Sequence, residues 1–235
     1  MIIRLVTWNT CGKPTVITGD KCTILASSVE SSIIGGYGPP VFCIQEAGTD
    51  KNNLDCKIFG KQYKFYSYQI LSKLKDTRCN IALLVPLSLA NDPTTKIYTI
   101  TKGQISRPVV CIKIGSLTIA NIHATSGKPG TACSEIVSAI NSLMKDSGKK
   151  WILMGDMNIE PKDLQERKRF GGVSANVTII NSGYKTRRDS FHEYDYAIVP
   201  TELGKSVTCI DTLDCRGVSD HDAVEFNVDY KDSEF

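Results

Sequence analysis

Trp151-Ile152-Leu153-Met154-Gly155-Asp156-Met157-Asn158 is a short apolar run closed by a Gly-Asp-x-Asn element. Trp151 to Met154 reads as a strand, and taken alone the polar close reads as a turn built on Asx hydrogen bonds. The same design recurs along the chain. One strand ends Thr7-Trp8-Asn9, the next Ile44-Gln45-Glu46, and a later one Asn121-Ile122-His123. Glu193-Tyr194-Asp195-Tyr196 opens another strand, and Ser219-Asp220-His221-Asp222 precedes the last. Singly, each is an ordinary turn residue or a structural histidine. Together, in this order and all at strand termini, they are hard to assign to turns.

Working outward, β-branched apolar segments alternate with turns over the whole length. Strands are expected at Ile2 to Thr7, Val41 to Ile44, Lys64 to Tyr68, Asn80 to Val85, Lys96 to Thr101, Pro108 to Ile114 and Leu117 to His123. Beyond Trp151 to Met154 they continue at Asn176 to Ile180, Asp195 to Val199, Val207 to Ile210 and Ala223 to Val228. A helix is expected around Lys21 to Ile34, with Ile24, Leu25, Val29 and Ile33 on one face and Gly35-Gly36 ending it. A second suits Ala132 to Met144. Many consecutive strands are too close for a crossover helix, so much of the sheet is antiparallel. Two sheets packed face to face with helices outside is the economical arrangement, and 1–235 reads as a single domain.

The 235 residues are 41% hydrophobic and 23% charged, enough to bury a sizeable core and against disorder. The 28 Lys+Arg against 25 Asp+Glu leave a net charge of +3, compatible with a polyanionic partner without pointing to one. The longest apolar stretch, Ile81 to Ala90, is broken by Pro86 and Ser88 and is too short to span a bilayer. Arg4 interrupts any signal-peptide core, so the chain reads as cytosolic or as a mature form with its leader removed. Its cysteines, Cys11, Cys22, Cys43, Cys56, Cys79, Cys111, Cys133, Cys209 and Cys215, show no zinc-ligand spacing. Their odd number forbids full internal pairing. They read as buried or free thiols, with some disulfides as the secreted alternative. Asn176-Val177-Thr178 is the one glycosylation triplet, a pattern common by chance.

The strand-end set resembles the endonuclease/exonuclease/phosphatase (deoxyribonuclease I-like) superfamily over nearly the whole chain, from Thr7 to His221. Gln45-Glu46-Ala47-Gly48, Asn80-Ile81-Ala82, Ser106-Arg107-Pro108-Val109-Val110, Gly155-Asp156-Met157-Asn158 and Asp195-Tyr196-Ala197-Ile198-Val199 resemble one branch in particular. That branch is the B subunit of cytolethal distending toxin, a nuclease that enters host cells and cuts chromosomal DNA. The resemblance implies a four-layer α/β sandwich, two packed mixed β-sheets flanked by helices, with a divalent metal and phosphodiester hydrolysis. It also implies delivery subunits as partners, and a secreted toxin acting in a target-cell nucleus; otherwise the chain is cytosolic in its source. The chain departs from that branch at Ile159, where Arg is usual, at Gly127-Lys128-Pro129-Gly130 in place of a Gly-Gly pair, and in the short segment between Gly48 and Asn80. Those changes bear on DNA contact and partner binding and leave the chemical centre intact.

Phosphodiester hydrolysis needs a nucleophilic water, charge neutralisation on the phosphate and relief for the leaving oxygen. Glu46, with Asn9 and Asp220 beside it, offers the hard oxygens that suit magnesium, with manganese or calcium as alternatives. Asp156 would orient or deprotonate water, and Asn158 would fix it. His221, oriented by Asp195, would bond a non-bridging oxygen, and His123 would stabilise charge or protonate the leaving group. His192 is expected at the surface. Arg107 suits a phosphate clamp. Arg187 and Arg188 with Lys185, and the Arg167-Lys168-Arg169 cluster, both in stretches of weak strand character, could track DNA phosphates, serve as a nuclear address or simply be solvated loop charge. A phosphoinositide phosphatase on the same fold is the alternative, disfavoured because those enzymes usually carry a Trp-Cys-Asp-Arg element where this chain has Tyr194-Asp195-Tyr196. A non-catalytic binding module would have lost a carboxylate or histidine of the set, and none is lost.

Overall fold

The computed structural model describes residues 2–11, 19–47, 63–68, 80–103, 105–171 and 176–230. In chain order the elements are β1 (Ile2–Asn9), α1 (Gly19–Ile34), β2 (Val41–Gln45), β3 (Tyr63–Tyr68), β4 (Ile81–Pro86), α2 (Leu87–Ala90), β5 (Lys96–Ile100), β6 (Val109–Ile114) and β7 (Leu117–His123). There follow α3 (Pro129–Ser147), β8 (Trp151–Asp156), α4 (Pro161–Gly171), β9 (Val177–Ile180), β10 (Asp195–Pro200), β11 (Val207–Leu213) and β12 (Ala223–Asp229).

The strands form two six-stranded mixed sheets, ordered β11-β12-β1-β2-β4-β3 and β5-β6-β7-β8-β10-β9. Period-two alternation explains how they stack. Leu5, Cys43, Ile119, Ile152 and Met154 face the core between the sheets. Their neighbours Val6, Trp8, Phe42 and Ile44 face Leu25 and Val29 of α1. Trp151 and Leu153 face Ile136, Ile140 and Leu143 of α3, with Leu164 of α4 in the same cluster. Four layers result: helix, sheet, sheet, helices. Strands covered on both faces have to be apolar throughout, which is why β4 and β8 read as unbroken hydrophobic runs. Among the described residues no helix is long and apolar enough to cross a membrane.

Two parallel pairs place the chemistry. β1 and β2 are joined through α1, β7 and β8 through α3, and in each pair the strands end level. Asn9 lies opposite Gln45, and His123 opposite Asp156. Antiparallel β10 begins beside the end of β8, with Asp195 opposite Asp156. β12 pairs antiparallel with β1, Val224 opposite Thr7, so His221 arrives next to Asn9. In each of these strands the inward-facing row runs from apolar to polar as it nears that end: Leu5-Thr7-Asn9, Cys43-Gln45, Ile119-Asn121-His123 and Ile152-Met154-Asp156.

The polar step below the site pins the sheets together. Gln45 Nε2 donates to Asn121 Oδ1 (2.6 Å) and to Thr7 Oγ1 (3.0 Å). Asn121 Nδ2 donates across to the Ile44 and Ala82 carbonyls at 3.1 and 2.9 Å. These groups are wholly buried, so each bond also avoids the cost of leaving a donor without an acceptor.

Three expectations need correction. Ile33 is 53% exposed. Each four-residue step overshoots a full turn, so Ile33 has rotated about 80° from Leu25. Ser28 and Ser32 take the buried positions instead, bonded to Glu225 and to the Gly38 carbonyl. Secondly, Arg167, Lys168 and Arg169 fall on helix α4 rather than in weak strand; their side chains lie outside the described residues. Thirdly, the second helix is longer than expected, beginning at Pro129 and running to Ser147. Cys11, Cys43, Cys111, Cys133, Cys209 and Cys215 are free thiols, while Cys56, Cys79 and the Cys22 side chain lie outside the described residues.

Candidate active site

Asp156 is the hub of the strand ends. Its Oδ2 accepts from Asn9 Nδ2 at 2.9 Å, a bond crossing from one sheet to the other. The same oxygen lies 3.6 Å from His123 Nε2 and 3.9 Å from His221 Nε2. Its Oδ1 accepts from the Asn158 backbone N–H at 3.0 Å, the Asx turn expected of Gly-Asp-x-Asn. Asn158 Nδ2 then donates to the Ala124 carbonyl at 2.9 Å. Glu46 approaches from β2, its Oε1 3.9 Å from His123 Nε2 and 3.5 Å from Asn9 Nδ2, with the side chain 18% exposed. Glu46 and Asn158 both sit in the left-handed region, φ 52° and 49°. Such backbone is costly for non-glycine residues and concentrates at functional sites.

His221 is braced from both sides. Its Nδ1 meets Asp195 Oδ2 at 2.7 Å, and its backbone carbonyl accepts from Trp8 Nε1 at 3.2 Å. Asp195 Oδ2 also accepts from Thr186 Oγ1 at 2.8 Å. Burial pulls the imidazolium down, but the Asp195 charge, its hydrogen bond and the Asp156 and Asp220 charges outweigh that, and the His221 pKa stands at about 9. His123 goes the other way. Burial lowers it, Asp156 offsets only part, and Arg107 and His221 add to the fall, leaving it at about 4. At neutral pH the site therefore holds one charged and one neutral imidazole, a split that separates acid from base.

The remaining candidates are placed as follows. Arg107 Nη1 reaches the Ala124 carbonyl at 3.4 Å, beside His123. Asp220 Oδ2 lies 3.8 Å from Arg187 Nε, and Asp220 also bonds the Cys11 thiol. Arg187 pairs its backbone with His221 and keeps its side chain one-third exposed at the rim. Arg188 departs from the DNA-tracking expectation. Its guanidinium is tied to Asp222, to the Ser219 carbonyl and, at 3.8 Å, to Asp214. A phosphate would have to displace two carboxylates to reach it. His192 lies away from the hub, its Nδ1 3.0 Å from Glu160 and its ring stacked on Tyr194.

Asp156, Asp195 and His221 place three ligand-type atoms within 4.8 Å of one another, a grouping that could hold a metal ion. The protonated state of His221 and the commitment of Asp195 Oδ2 to it count against that set. The harder donors lie at the mouth. Asn9 turns its amide nitrogen into the site because the Cys11 N–H occupies its Oδ1 at 3.0 Å. That orientation differs from the one expected of a ligand and leaves the Glu46 and Asp220 carboxylates as the oxygen donors for a cation. Both charges are felt at Cys11, which places them on the same side of the site. Such oxygens fit magnesium.

Two participants escaped the sequence. Thr186 positions Asp195 yet sits in a Lys-Thr-Arg-Arg stretch that reads only as charge. Cys11 lies beside Asn9, where a thiol carries no signal of its own.

Two packed six-stranded mixed sheets flanked by helices make the deoxyribonuclease I-like α/β sandwich, and the chain has that fold. Among solved structures it is similar to the cytolethal distending toxin of Haemophilus ducreyi, at 19% identity over 95% of this chain and 97% of that one, TM-score 0.67. The toxin from Actinobacillus actinomycetemcomitans matches at 20% identity over 97% and 98%, TM-score 0.66. An AP endonuclease from Leishmania major matches at 14% identity over 98% and 88%, TM-score 0.68. No protein-family model matches the chain, and no curated protein sequence does.

The Asp195–His221 pair carries a pH prediction. A step that needs the imidazolium runs below about pH 9 and fails as pH rises through it. Asp195→Asn removes the main raising influence. It is expected to draw the alkaline limb of the rate profile down by more than one pH unit, toward the ordinary histidine value of about 6.5. The pairing also stabilises the fold. Because the folded pKa is raised, that contribution is complete below about pH 6.5 and lost as pH rises through about 9. A rate profile of Asp195→Asn that overlays the wild type would mean that the rate does not depend on the His221 imidazolium.

Proposed function

We propose that the chain is a metal-dependent phosphodiesterase, a DNA endonuclease serving as the catalytic subunit of a genotoxin of the cytolethal distending toxin kind. One observation carries the chemistry: a buried carboxylate, Asp156, stands between two imidazoles of opposite charge state, with further carboxylates at the mouth. The toxin role is supported by the fold shared with the two solved toxins and by the motifs of the resembling branch; delivery subunits would then be its partners.

Glu46 and Asp220 would hold a magnesium ion, with Asn9 orienting Glu46; when bound, the ion supplies Lewis-acid charge at the phosphoryl oxygen and the leaving oxygen. The chain's own residues do the rest. Asp156 takes a proton from the attacking water as the new P–O bond forms. Asn9 and Asn158 hold Asp156 in place. His221, protonated and steered by Asp195 through Nδ1, has one free N–H, at Nε2, and gives that proton to the departing oxygen as the old P–O bond breaks. His123, neutral, keeps Nε2 between Glu46 and Asp156. Arg107 approaches the phosphate from the β6 side.

The test is nicking of supercoiled plasmid. Chelator is expected to abolish it and excess magnesium to restore it. Undiminished nicking in chelator would sink the metal-dependent reading.

A further inference from the structure

Helix α3 carries a buried carboxylate outside the site. Glu135 is 2% exposed, and among the described residues its partners are hydrogen-bond donors rather than cations. The donors come from two separate loops. Oε2 accepts from the Thr125 N–H at 2.7 Å. Oε1 accepts from Thr125 Oγ1 at 2.9 Å, from the Ser106 N–H at 3.1 Å and from the Ser106 hydroxyl. The two hydroxyls also touch, at 3.0 Å.

Both loops lead into the site. Ser106 immediately precedes Arg107, and both lie in the bend before β6. Thr125 follows His123 by two residues. Between them Ala124 donates its N–H to the Asp156 carbonyl at 2.9 Å and accepts from Asn158 Nδ2 and Arg107 Nη1. An unbroken chain of bonds therefore runs from Glu135 to the Arg107 guanidinium and the Asp156 turn. A carboxylate is the one side chain of this length that accepts from both backbone N–H groups and both hydroxyls at once.

We propose that Glu135 is a positioning residue: its carboxylate locks the Ser106-Arg107 turn onto the exit of β7 and thereby sets Arg107 beside His123 for contact with a nucleic-acid phosphate. The inference rests on the nuclease reading above and deepens it by assigning how one phosphate contact is aimed. Glu135→Gln keeps the shape but removes the charge and one acceptor, setting an NH2 group against the Thr125 N–H or against the Ser106 and Thr125 donors.

The experiment measures binding of a labelled DNA duplex in chelator, over a range of salt, for wild type, Arg107→Ala, Glu135→Gln and the double variant. Arg107→Ala is expected to weaken binding about tenfold and to reduce the log–log salt slope by about 1. Glu135→Gln should reproduce most of both changes, and the double variant should bind no worse than Arg107→Ala alone. A merely structural role would leave the salt slope unchanged. Wild-type affinity and slope in Glu135→Gln, or losses that multiply in the double variant, would overturn the proposal. Should Glu135→Gln fail to fold, Ser106→Ala with Thr125→Val removes only the hydroxyl bonds and must show the same non-additivity with Arg107→Ala. Absence of salt-dependent DNA binding by the wild type overturns the clamp as well, since it would have no phosphate to aim at. A wild type that binds with the expected pattern but does not nick plasmid sinks the nuclease reading and leaves the clamp standing.

Discussion

Asp156→Ala is expected to lower plasmid nicking by on the order of a hundredfold or more, with a much smaller change in DNA affinity. The reason is geometric. One carboxylate oxygen is bonded by Asn9 and faces both His123 and His221, so its loss would remove the proposed proton acceptor and untie the residues around it. Each partner acts mainly in the transition state, so His123→Ala and His221→Ala should fall in turnover by similar factors. A double substitution should cost less than the product of the singles, because the residues serve one transition state. His192→Ala is the control. That ring is bonded to Glu160 at the surface, and its removal should be nearly silent. Folded Asp156 and His221 variants that nick at the wild-type rate would refute the site.

Among the glycines described, Gly155 should tolerate an added methyl least, so Gly155→Ala is expected to be severely destabilising. Gly155 has φ 148°, and a Cβ there would stand 1.9 Å from the Ile122 carbonyl oxygen. That oxygen is backbone of β7, paired in parallel register with β8, so neither side can yield without breaking the ladder that aligns His123 with Asp156. The expected cost exceeds about 4 kcal/mol, the range reserved for gross steric or packing failure. Gly127→Ala provides the comparison. It too has positive φ, 71°, but nothing within 4 Å of the added carbon, so only the backbone penalty of about 1 kcal/mol applies. Urea denaturation of both variants reads the difference, and equal midpoints would mean that β7 and β8 are not held as described.

The grouping of the site's polar residues was legible because each of them falls at or beside a strand terminus. Asn9, His123 and Asp156 each end an inward-facing row whose apolar members Leu5, Ile119 and Ile152 stand four positions earlier. Asp195 opens β10 ahead of the inward-facing Ala197 and Val199, and His221 stands two residues before β12. What stayed hidden lacks a periodic signal. Among the described side chains of helix α4 only Leu164 is buried, and no apolar stripe marks the helix in the sequence. Thr186 and Glu135 are ordinary polar residues until the fold brings Asp195, Ser106 and Thr125 to them. Arg188 reads as a free cation because its partners Asp214 and Asp222 lie 26 and 34 residues away in sequence. The Asn9 amide orientation is set by the Cys11 N–H, a backbone bond that composition does not record.

Substrate choice remains the sharpest division between the nuclease and a phosphoinositide phosphatase built on the same sheets. The decisive measurement sets supercoiled plasmid against a soluble phosphoinositide, each with magnesium, for the wild type and for Asp156→Ala. The expected result is conversion of plasmid to nicked circles by the wild type alone, with little phosphate released from the lipid headgroup. Phosphate release from the phosphoinositide by the wild type, with the plasmid left supercoiled, would contradict the assignment as a DNA endonuclease.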